Sequence, residues 1–226
     1  MCGRYSVVID EAKLRKQFTK ELTTPPDGIG KNYNMAPTQR GPVITDARPE
    51  EISDFRWGLV PFWAKDIKIG ARMINARREG IEEKSSFRKP IRERRCLVIA
   101  DSFYEWRRTQ DGKKIPYRIL PADDGLLVMA GIWEKWTPKD GDDTEPVYTY
   151  SVITGEPNKE MRQLHDRMPM LLLDEDRRQR WLQPDLPLPE VLELLATPPD
   201  GTLRAYPTNP AVGNVRNNGP ELHEAA

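Results

Sequence analysis

A run of strand-like segments between residues 96 and 133 constrains the fold more than any other part of the sequence. Residues 96–100, 103–108, 115–120 and 126–133 are rich in the β-branched, aromatic and other apolar residues that favour strands. Gln110-Asp111-Gly112 forms a hairpin-type turn between the second and third of them. Strands joined by such short turns pair antiparallel, so this run predicts a mainly antiparallel sheet.

Short elements are expected on both sides of this run. Residues 2–9, 42–45, 52–60, 147–154 and 168–173 are predicted strands, whereas residues 11–18, 158–164 and 188–195 are predicted helices. Residues 32–37 are predicted to form a loop and the last dozen residues a tail. The 21 prolines, about twice the usual share, favour short elements over long helices. We predict one α+β domain spanning residues 1–226, with a strongly curved sheet at its centre.

The charge balance limits how the chain can bind a partner. Lysine plus arginine and aspartate plus glutamate are equal at 35 each. A bulk attraction for nucleic acid is therefore absent, and any DNA binding must depend on a local basic patch. No stretch approaches the roughly 20 apolar residues of a membrane span, and the first residues lack the basic and apolar regions typical of a signal peptide. With only two cysteines, we expect a reducing cytoplasmic location, associated with the nucleoid in a bacterial cell.

Missing motifs exclude several catalytic classes. The sequence contains no glycine-rich phosphate loop, no Gly-x-Ser-x-Gly turn and no His-Glu-x-x-His motif. Its two histidines and two cysteines show none of the usual zinc-ligand spacings. We therefore expect neither a metal nor a cofactor.

Cys2 is the candidate nucleophile, because it directly follows the initiator methionine. Its small side chain allows Met1 to be removed, which leaves a thiol and a free α-amine on adjacent carbons. An α-amine titrates near pH 8, roughly, so much of it is neutral and nucleophilic in the cell. Such an aminothiol condenses with an aldehyde to an imine, which closes to a five-membered thiazolidine. The alternative is that Cys2 is an ordinary small residue opening the first strand.

Two further residues are candidate acid/base groups. His165 is flanked by charges and immediately precedes a predicted buried strand, which suits the rim of a cleft. Glu105 lies among the aromatic residues of Phe103-Tyr104-Glu105-Trp106. If its face of the strand is inward, the carboxyl pKa is raised towards neutrality. The alternatives are a surface or satisfied core histidine and a solvent-facing glutamate.

Asn75-Ala76-Arg77 offers a polar pair that suits a nucleotide. If the segment is extended, the amide of Asn75 and the guanidinium of Arg77 lie on the same face. That pair fits a sugar hydroxyl and a phosphate, although turn and salt-bridge roles fit equally well. Trp57, Trp63 and Trp106 are candidate stacking platforms for unpaired bases, or core residues.

Seven motifs occur in order between residues 1 and about 182. They are Met1-Cys2-Gly3-Arg4-Tyr5, Asn32-Tyr33-Asn34-Met35-Ala36-Pro37, Arg56-Trp57-Gly58-Leu59-Val60-Pro61-Phe62-Trp63-Ala64-Lys65, Ile74-Asn75-Ala76-Arg77, Arg94-Arg95-Cys96-Leu97, Phe103-Tyr104-Glu105-Trp106 and His165-Asp166-Arg167-Met168-Pro169. Together they closely resemble the SOS-response-associated peptidase (SRAP) family of abasic-site processing proteins. Gly80 and Ser102 depart from the family pattern, but neither change removes a reactive group.

The resemblance implies a SRAP-type α+β fold, in which a curved, mainly antiparallel, barrel-like sheet carries peripheral helices and a positively charged cleft. It also implies a protein that captures abasic sites in single-stranded DNA covalently and removes its own Met1. From the imine chemistry we expect a weak lyase activity as well, and we expect a monomer. By resemblance, Cys2 is the crosslinking nucleophile, and Asn75, Glu105 and His165 assist it. The residues implied to hold flanking phosphates and bases are Arg4, Trp63, Arg77, Trp106 and Arg167.

Two other functions compete with covalent capture. Glutamine amidotransferases with an N-terminal nucleophile also begin Met-Cys-Gly, and there the α-amine acts as the base. That hypothesis leaves the tryptophan-rich and arginine-rich motifs unexplained. A binding module for single-stranded or modified DNA would use the same cleft without covalent chemistry.

Overall fold

The computed structural model describes residues 2–138 and 145–226. The strands are β1 (Tyr5–Val7), β2 (Asn32–Met35), β3 (Arg40–Thr45), β4 (Arg48–Trp57), β5 (Asn75–Arg77), β6 (Arg95–Ala100), β7 (Ser102–Arg108), β8 (Lys114–Pro121), β9 (Leu127–Trp136), β10 (Val147–Gly155), β11 (Met168–Pro169) and β12 (Leu203–Pro207). The helices are α1 (Glu11–Gln17), α2 (Pro90–Glu93), α3 (Lys159–Arg162), α4 (Glu175–Leu182) and α5 (Leu188–Glu193). Within the described residues, no helix is long and apolar enough to cross a membrane.

A closed ring of strands forms the centre of the molecule. The order β10-β4-β3-β6-β9 returns to β10, because β10 pairs with both β4 and β9. The ring is antiparallel except where β10 runs parallel to β4. β5 also pairs with β10 in parallel register, which places Asn75 opposite Val152. The predicted curved, barrel-like and mainly antiparallel sheet is confirmed.

A second, five-stranded antiparallel sheet carries the N-terminal strand. Its order is β12-β8-β7-β1-β2. β1 pairs with β7 through Tyr5 opposite Phe103 and Ser6 opposite Ser102. The backbone N–H of Tyr104 then donates to the carbonyl oxygen of Arg4 at 2.9 Å. This pairing brings the start of the chain beside the segment that contains Glu105.

Some predicted elements differ from the structure. Residues 32–37, predicted to form a loop, contain β2, which pairs with β1. The fully buried side chain of Asn34 stabilises this strand by hydrogen bonds to three distant carbonyl oxygens, a tertiary effect that local sequence does not reveal. The strand predicted at residues 168–173 is reduced to β11. β12 was not predicted.

The predicted C-terminal tail is wrong. Leu222 is completely buried in a cluster with Tyr104 and Val212. The Nε2 atom of His223 lies 2.9 Å from Ser6 Oγ, and Ala225 forms a β-bridge with Thr208. The segment folds back because one apolar side chain inserts beneath a largely polar stretch. That single leucine is a weak signal in the sequence.

We expect Leu222→Ala to lower the free energy of unfolding by about 2–5 kcal/mol, the usual cost of truncating a fully buried leucine. Chemical denaturation at neutral pH measures this change. Val215→Ala provides the control within the same segment, because Val215 is 48% exposed and its truncation should cost less than about 0.5 kcal/mol. Equal, small effects of both substitutions would restore the tail interpretation.

Candidate active site

Cys2 lies just before β1 and is fully buried. Its carbonyl oxygen accepts a hydrogen bond from Asn75 Nδ2 at 2.8 Å, which fixes the backbone of the candidate nucleophile. Burial raises the pKa of the Cys2 thiol far above its ordinary value, and the negative charge of Glu105 raises it further. The thiol is therefore protonated at neutral pH.

Asn75 opens β5, and the adjoining segment is fixed in place. Trp57 Nε1 donates to the carbonyl oxygen of Ile74 at 2.9 Å. Asn75 Oδ1 is buried, and no described residue donates a hydrogen bond to it. A buried acceptor without a donor costs roughly 1–3 kcal/mol. The amide oxygen is therefore suited to accept a hydrogen bond from a bound molecule.

Glu105 is directed inward rather than towards solvent. It lies on β7 and is only 5% exposed. Burial raises the pKa of the carboxyl to about 7. Protonated and ionised forms are therefore comparably populated at neutral pH, as a group that both donates and accepts a proton requires.

His165 lies in the short connection between α3 and β11, with its side chain partly exposed. Its Nδ1 accepts a hydrogen bond from the backbone N–H of Arg167 at 3.1 Å, and Asp166 Oδ1 lies 2.7 Å from the same nitrogen. Burial lowers the pKa of the imidazole, so the neutral form dominates at pH 7. When Nδ1 carries no proton, it accepts the hydrogen bond from the Arg167 N–H. When it is protonated, it donates to the Asp166 carboxylate. No group of His, Cys, Asp or Glu side chains able to hold a metal ion occurs in the described part of the chain.

A surface cleft of about 350 Å³ brings two of the predicted acid/base groups together. Its lining residues are Glu105, Trp106, Arg108, Lys114, His165 and Gly213. Cys2 is buried near Glu105, because the hydrogen bond from the Tyr104 N–H to the Arg4 carbonyl oxygen holds the start of the chain beside β7. The volume is at the lower end of the roughly 300–1,000 Å³ typical of small-ligand sites.

Arg4, predicted to hold a phosphate, is already bound to the protein. Its Nη1 donates to Asn34 Oδ1 at 2.7 Å and to the carbonyl oxygen of Val212 at 2.8 Å. The guanidinium also lies 5.9 Å from the centre of the Trp106 ring. Arg4 therefore connects β1 to the Trp106 wall of the cleft and to the C-terminal segment.

Arg77 and Arg167 differ in how free their charges are. Arg77 is exposed at the end of β5, opposite Thr154, and makes no ion pair with any described residue. The side chain of Arg167 is only 13% exposed and donates to Glu79 Oε2 at 2.8 Å. It also donates to Thr154 Oγ1 at 3.2 Å. Arg77 is thus available to a phosphate, whereas Arg167 would have to exchange its contact with Glu79.

The tryptophans separate into core and surface residues. Trp57 is completely buried, so it is a core residue rather than a stacking platform. Trp63 is 42% exposed on the loop that follows β4. That loop begins at Gly58, whose φ of +119° favours glycine and where a Cβ would lie 2.5 Å from the carbonyl oxygen of Gly70. Trp63 and Trp106 remain accessible to bases.

Three residues that line the cleft were not predicted. Arg108 and Lys114 end one strand and begin the next, on either side of the predicted Gln110-Asp111-Gly112 turn. Their charges were visible in the sequence as a basic hairpin, and the hairpin pairing would have placed them together. Gly213 could not be found in this way, because nothing local predicts that its segment returns to the cleft.

Comparison with known proteins identifies a family for this chain. The SOS response associated peptidase (SRAP) family matches residues 1–215. The chain is 41% identical over 227 residues to the abasic site processing protein YoqW of Bacillus subtilis (strain 168), covering 100% of both chains. It is 31% identical to the abasic site processing protein HMCES of Gallus gallus, covering 98% of this chain and 76% of that protein.

A solved structure extends the comparison to three dimensions. The X-ray structure of a protein from Bacteroides thetaiotaomicron superposes with a TM-score of 0.87 and 29% identity, covering 100% of both chains. A protein from Bordetella bronchiseptica gives a TM-score of 0.76 at 25% identity, covering 92% of this chain and 100% of the other. The family model and the identity to these relatives show that the chain belongs to the SOS response associated peptidase (SRAP) family.

Proposed function

We propose that the protein processes abasic sites in single-stranded DNA by forming a covalent crosslink through Cys2 once Met1 has been removed. The names of its relatives support abasic-site processing. The observation that carries the covalent mechanism is the fixed position of Cys2, whose carbonyl is held by Asn75 while its thiol lies within the electrostatic influence of Glu105. The protein acts as a monomer and needs no cofactor.

The first step is the opening of the sugar ring. An abasic deoxyribose is mostly a closed hemiacetal, so its C1′ aldehyde must be released before any capture. The C1′ hydroxyl loses a proton and its oxygen becomes the carbonyl oxygen, while the bond between C1′ and the ring oxygen breaks. The ring oxygen takes the electron pair of that bond and gains a proton, so the proton count is unchanged. Glu105, with its pKa raised to about 7, can take the first proton and return the second.

Capture then proceeds through the amine and the thiol in turn. The neutral α-amine of Cys2 attacks C1′, and loss of one water gives an imine. The thiol S–H adds across the C=N bond: sulfur bonds to C1′ and the proton moves to nitrogen, which closes the thiazolidine. Because burial keeps the thiol protonated, we expect the amine to attack first.

The remaining residues position the sugar and its neighbours. The Oδ1 atom of Asn75 accepts a hydrogen bond from a sugar hydroxyl. His165, which has alternative partners for its Nδ1, relays a proton on the other side of the cleft. Arg77 holds a flanking phosphate, and Trp63 and Trp106 pack against neighbouring bases.

Two secondary activities follow from the same intermediate and the same terminus. An imine that does not close acidifies C2′, which permits β-elimination of the 3′ phosphate, so we propose a weak lyase activity. Removal of Met1 by the protein itself is a further proposal. Met1 lies outside the described residues.

A denaturing gel tests the proposed function. The protein is incubated with a single-stranded oligonucleotide that carries one abasic site, and with a matched oligonucleotide in which a tetrahydrofuran replaces the sugar and offers no aldehyde. We expect a heat-resistant shifted band with the first oligonucleotide alone. Non-covalent binding to both, with no shifted band, would support the binding module instead. Release of ammonia from glutamine, with no shifted band, would support the amidohydrolase.

A further inference from the structure

Two cations face each other next to the turn of the β7–β8 hairpin. Arg108 pairs directly with Lys114 in the antiparallel register, and both side chains are exposed. Like charges in directly opposite positions destabilise a sheet. Neither residue forms an ion pair within the described part of the chain, whereas the adjacent Lys113 lies 3.0 Å from Asp111 Oδ2. The hairpin therefore carries an unfavourable pair that nothing in the described fold explains.

This pair lies at the candidate active site. Arg108 and Lys114 line the same cleft as Glu105 and His165. Arg108 is two residues beyond Trp106 on β7, so the two side chains share one face of the strand. Because the chain as a whole carries a formal net charge of +0, anions are attracted by local excesses of positive charge, and this one lies at the cleft.

The neighbouring basic residues of the hairpin are arranged differently. Arg107 lies on the opposite face, with its guanidinium 5.1 Å from the centre of the Tyr117 ring. Lys113 is paired with Asp111. The hairpin thus carries two cations that have partners, Arg107 and Lys113. Arg108 and Lys114 have no partner among the described residues, and both line the cleft.

We propose that Arg108 and Lys114 form a phosphate fork that binds a backbone phosphate of the DNA strand next to the abasic nucleotide. Residues directly opposite in a sheet have Cβ atoms about 5 Å apart, so both side chains can reach the same phosphate. The guanidinium offers two parallel donors and the ammonium a point charge. A phosphate between them removes their repulsion, while Trp106 stacks on the adjoining base. This inference rests on the proposed function, because it assumes that the strand runs through the cleft.

The test measures non-covalent binding of an undamaged single-stranded thymidine oligonucleotide by fluorescence anisotropy over a range of KCl concentrations. The fork variant is Arg108→Gln with Lys114→Gln, and the control is Arg107→Gln with Lys113→Gln, which removes the same charge from the same hairpin. We expect the fork variant to flatten the slope of log K against log[KCl] by about 0.7 for each phosphate that the protein no longer neutralises. The control should keep the wild-type slope.

Thermal unfolding separates weakened phosphate binding from a damaged fold. Since the fork variant removes a repulsive pair, we expect its Tm to equal or exceed that of the wild type. An unchanged slope in the fork variant, an equal change in the control, or no binding by the wild type would each overturn the fork.

A parallel crosslinking reaction with the abasic oligonucleotide distinguishes this inference from the proposed function. If the wild type crosslinks but the fork variant keeps its slope, the fork alone is wrong. If the wild type does not crosslink but the salt slope flattens in the fork variant and not in the control, the fork stands as a DNA-binding element and the covalent mechanism fails.

Discussion

Cys2→Ser is expected to abolish the heat-resistant crosslink and to replace it with a reversible imine. Serine is also small, so Met1 is still removed and the α-amine remains available. The hydroxyl is a far weaker nucleophile than sulfur, so ring closure fails and the imine persists. Borohydride should then trap an adduct that otherwise hydrolyses, and strand cleavage by β-elimination should exceed that of the wild type. Denaturing gels with and without borohydride measure both products.

The matched control is Cys96→Ser, because Cys96 is the other cysteine and is equally buried. It should retain the heat-resistant band. If Cys2→Ser gives the same heat-resistant band as the wild type, ring closure by sulfur is not the source of the stable product.

Glu105→Gln is expected to slow crosslinking at pH 7 by about 10²-fold or more, the usual contribution of a positioned acid/base group. The raised pKa of about 7 should appear in the wild-type pH–rate profile as an inflection that the variant lacks. Single-turnover crosslinking between pH 5.5 and 8.5, roughly, measures both effects around that value. Glu11→Gln, at an exposed residue of α1, is the control. Equal rates for wild type and Glu105→Gln would assign the ring-opening proton transfer to another group.

Glu105→Gln should slow crosslinking, but it is expected to raise the stability of the protein relative to the wild type as the pH increases. Glu105 has its pKa raised to about 7 in the folded protein, whereas a glutamate in the unfolded chain titrates near 4.3, roughly. Below the pKa of the unfolded chain, the Glu105 carboxyl is protonated in both the folded and the unfolded protein. As pH rises between the two values the unfolded chain ionises first, so the wild type loses stability until about pH 7.

Glu105→Gln cannot undergo this destabilisation. Its stability advantage over the wild type at pH 8 should therefore exceed that at pH 4 by roughly 3 kcal/mol. Denaturant unfolding at the two pH values measures the difference. A pH-independent difference would mean that the carboxyl is not desolvated in the folded protein.

Local patterns predicted the elements whose hydrogen bonds and apolar faces are determined by their own residues. The hairpin around Gln110-Asp111-Gly112 is one example, since turn and alternating strands specify β7 and β8 together. The helix α1 is another, because Asp10 caps it by accepting from the backbone N–H of Lys13. The placement of Asn75 and Arg77 together on one short strand also followed from the sequence pattern.

Features that depend on distant partners could not be predicted in this way. β2 requires the hydrogen bonds between Asn34 and the C-terminal segment, and these residues are separated by more than half the chain. The charged partner of a surface arginine is equally invisible in sequence. Arg77 and Arg167 cannot be distinguished by their side-chain chemistry in the sequence. In the described structure, however, Arg167 forms an ion pair with Glu79, whereas Arg77 forms none.

Mass spectrometry of the crosslinked N-terminal peptide tests the central claim most directly. Trypsin cleaves after Arg4, so the product to examine is Cys2-Gly3-Arg4. We predict that this peptide lacks Met1, carries the sugar remnant with the loss of one water, resists alkylation by iodoacetamide and is unchanged by borohydride. A remnant on a lysine, or a Cys2 thiol that still reacts with iodoacetamide in the adduct, would contradict a thiazolidine at the N-terminus.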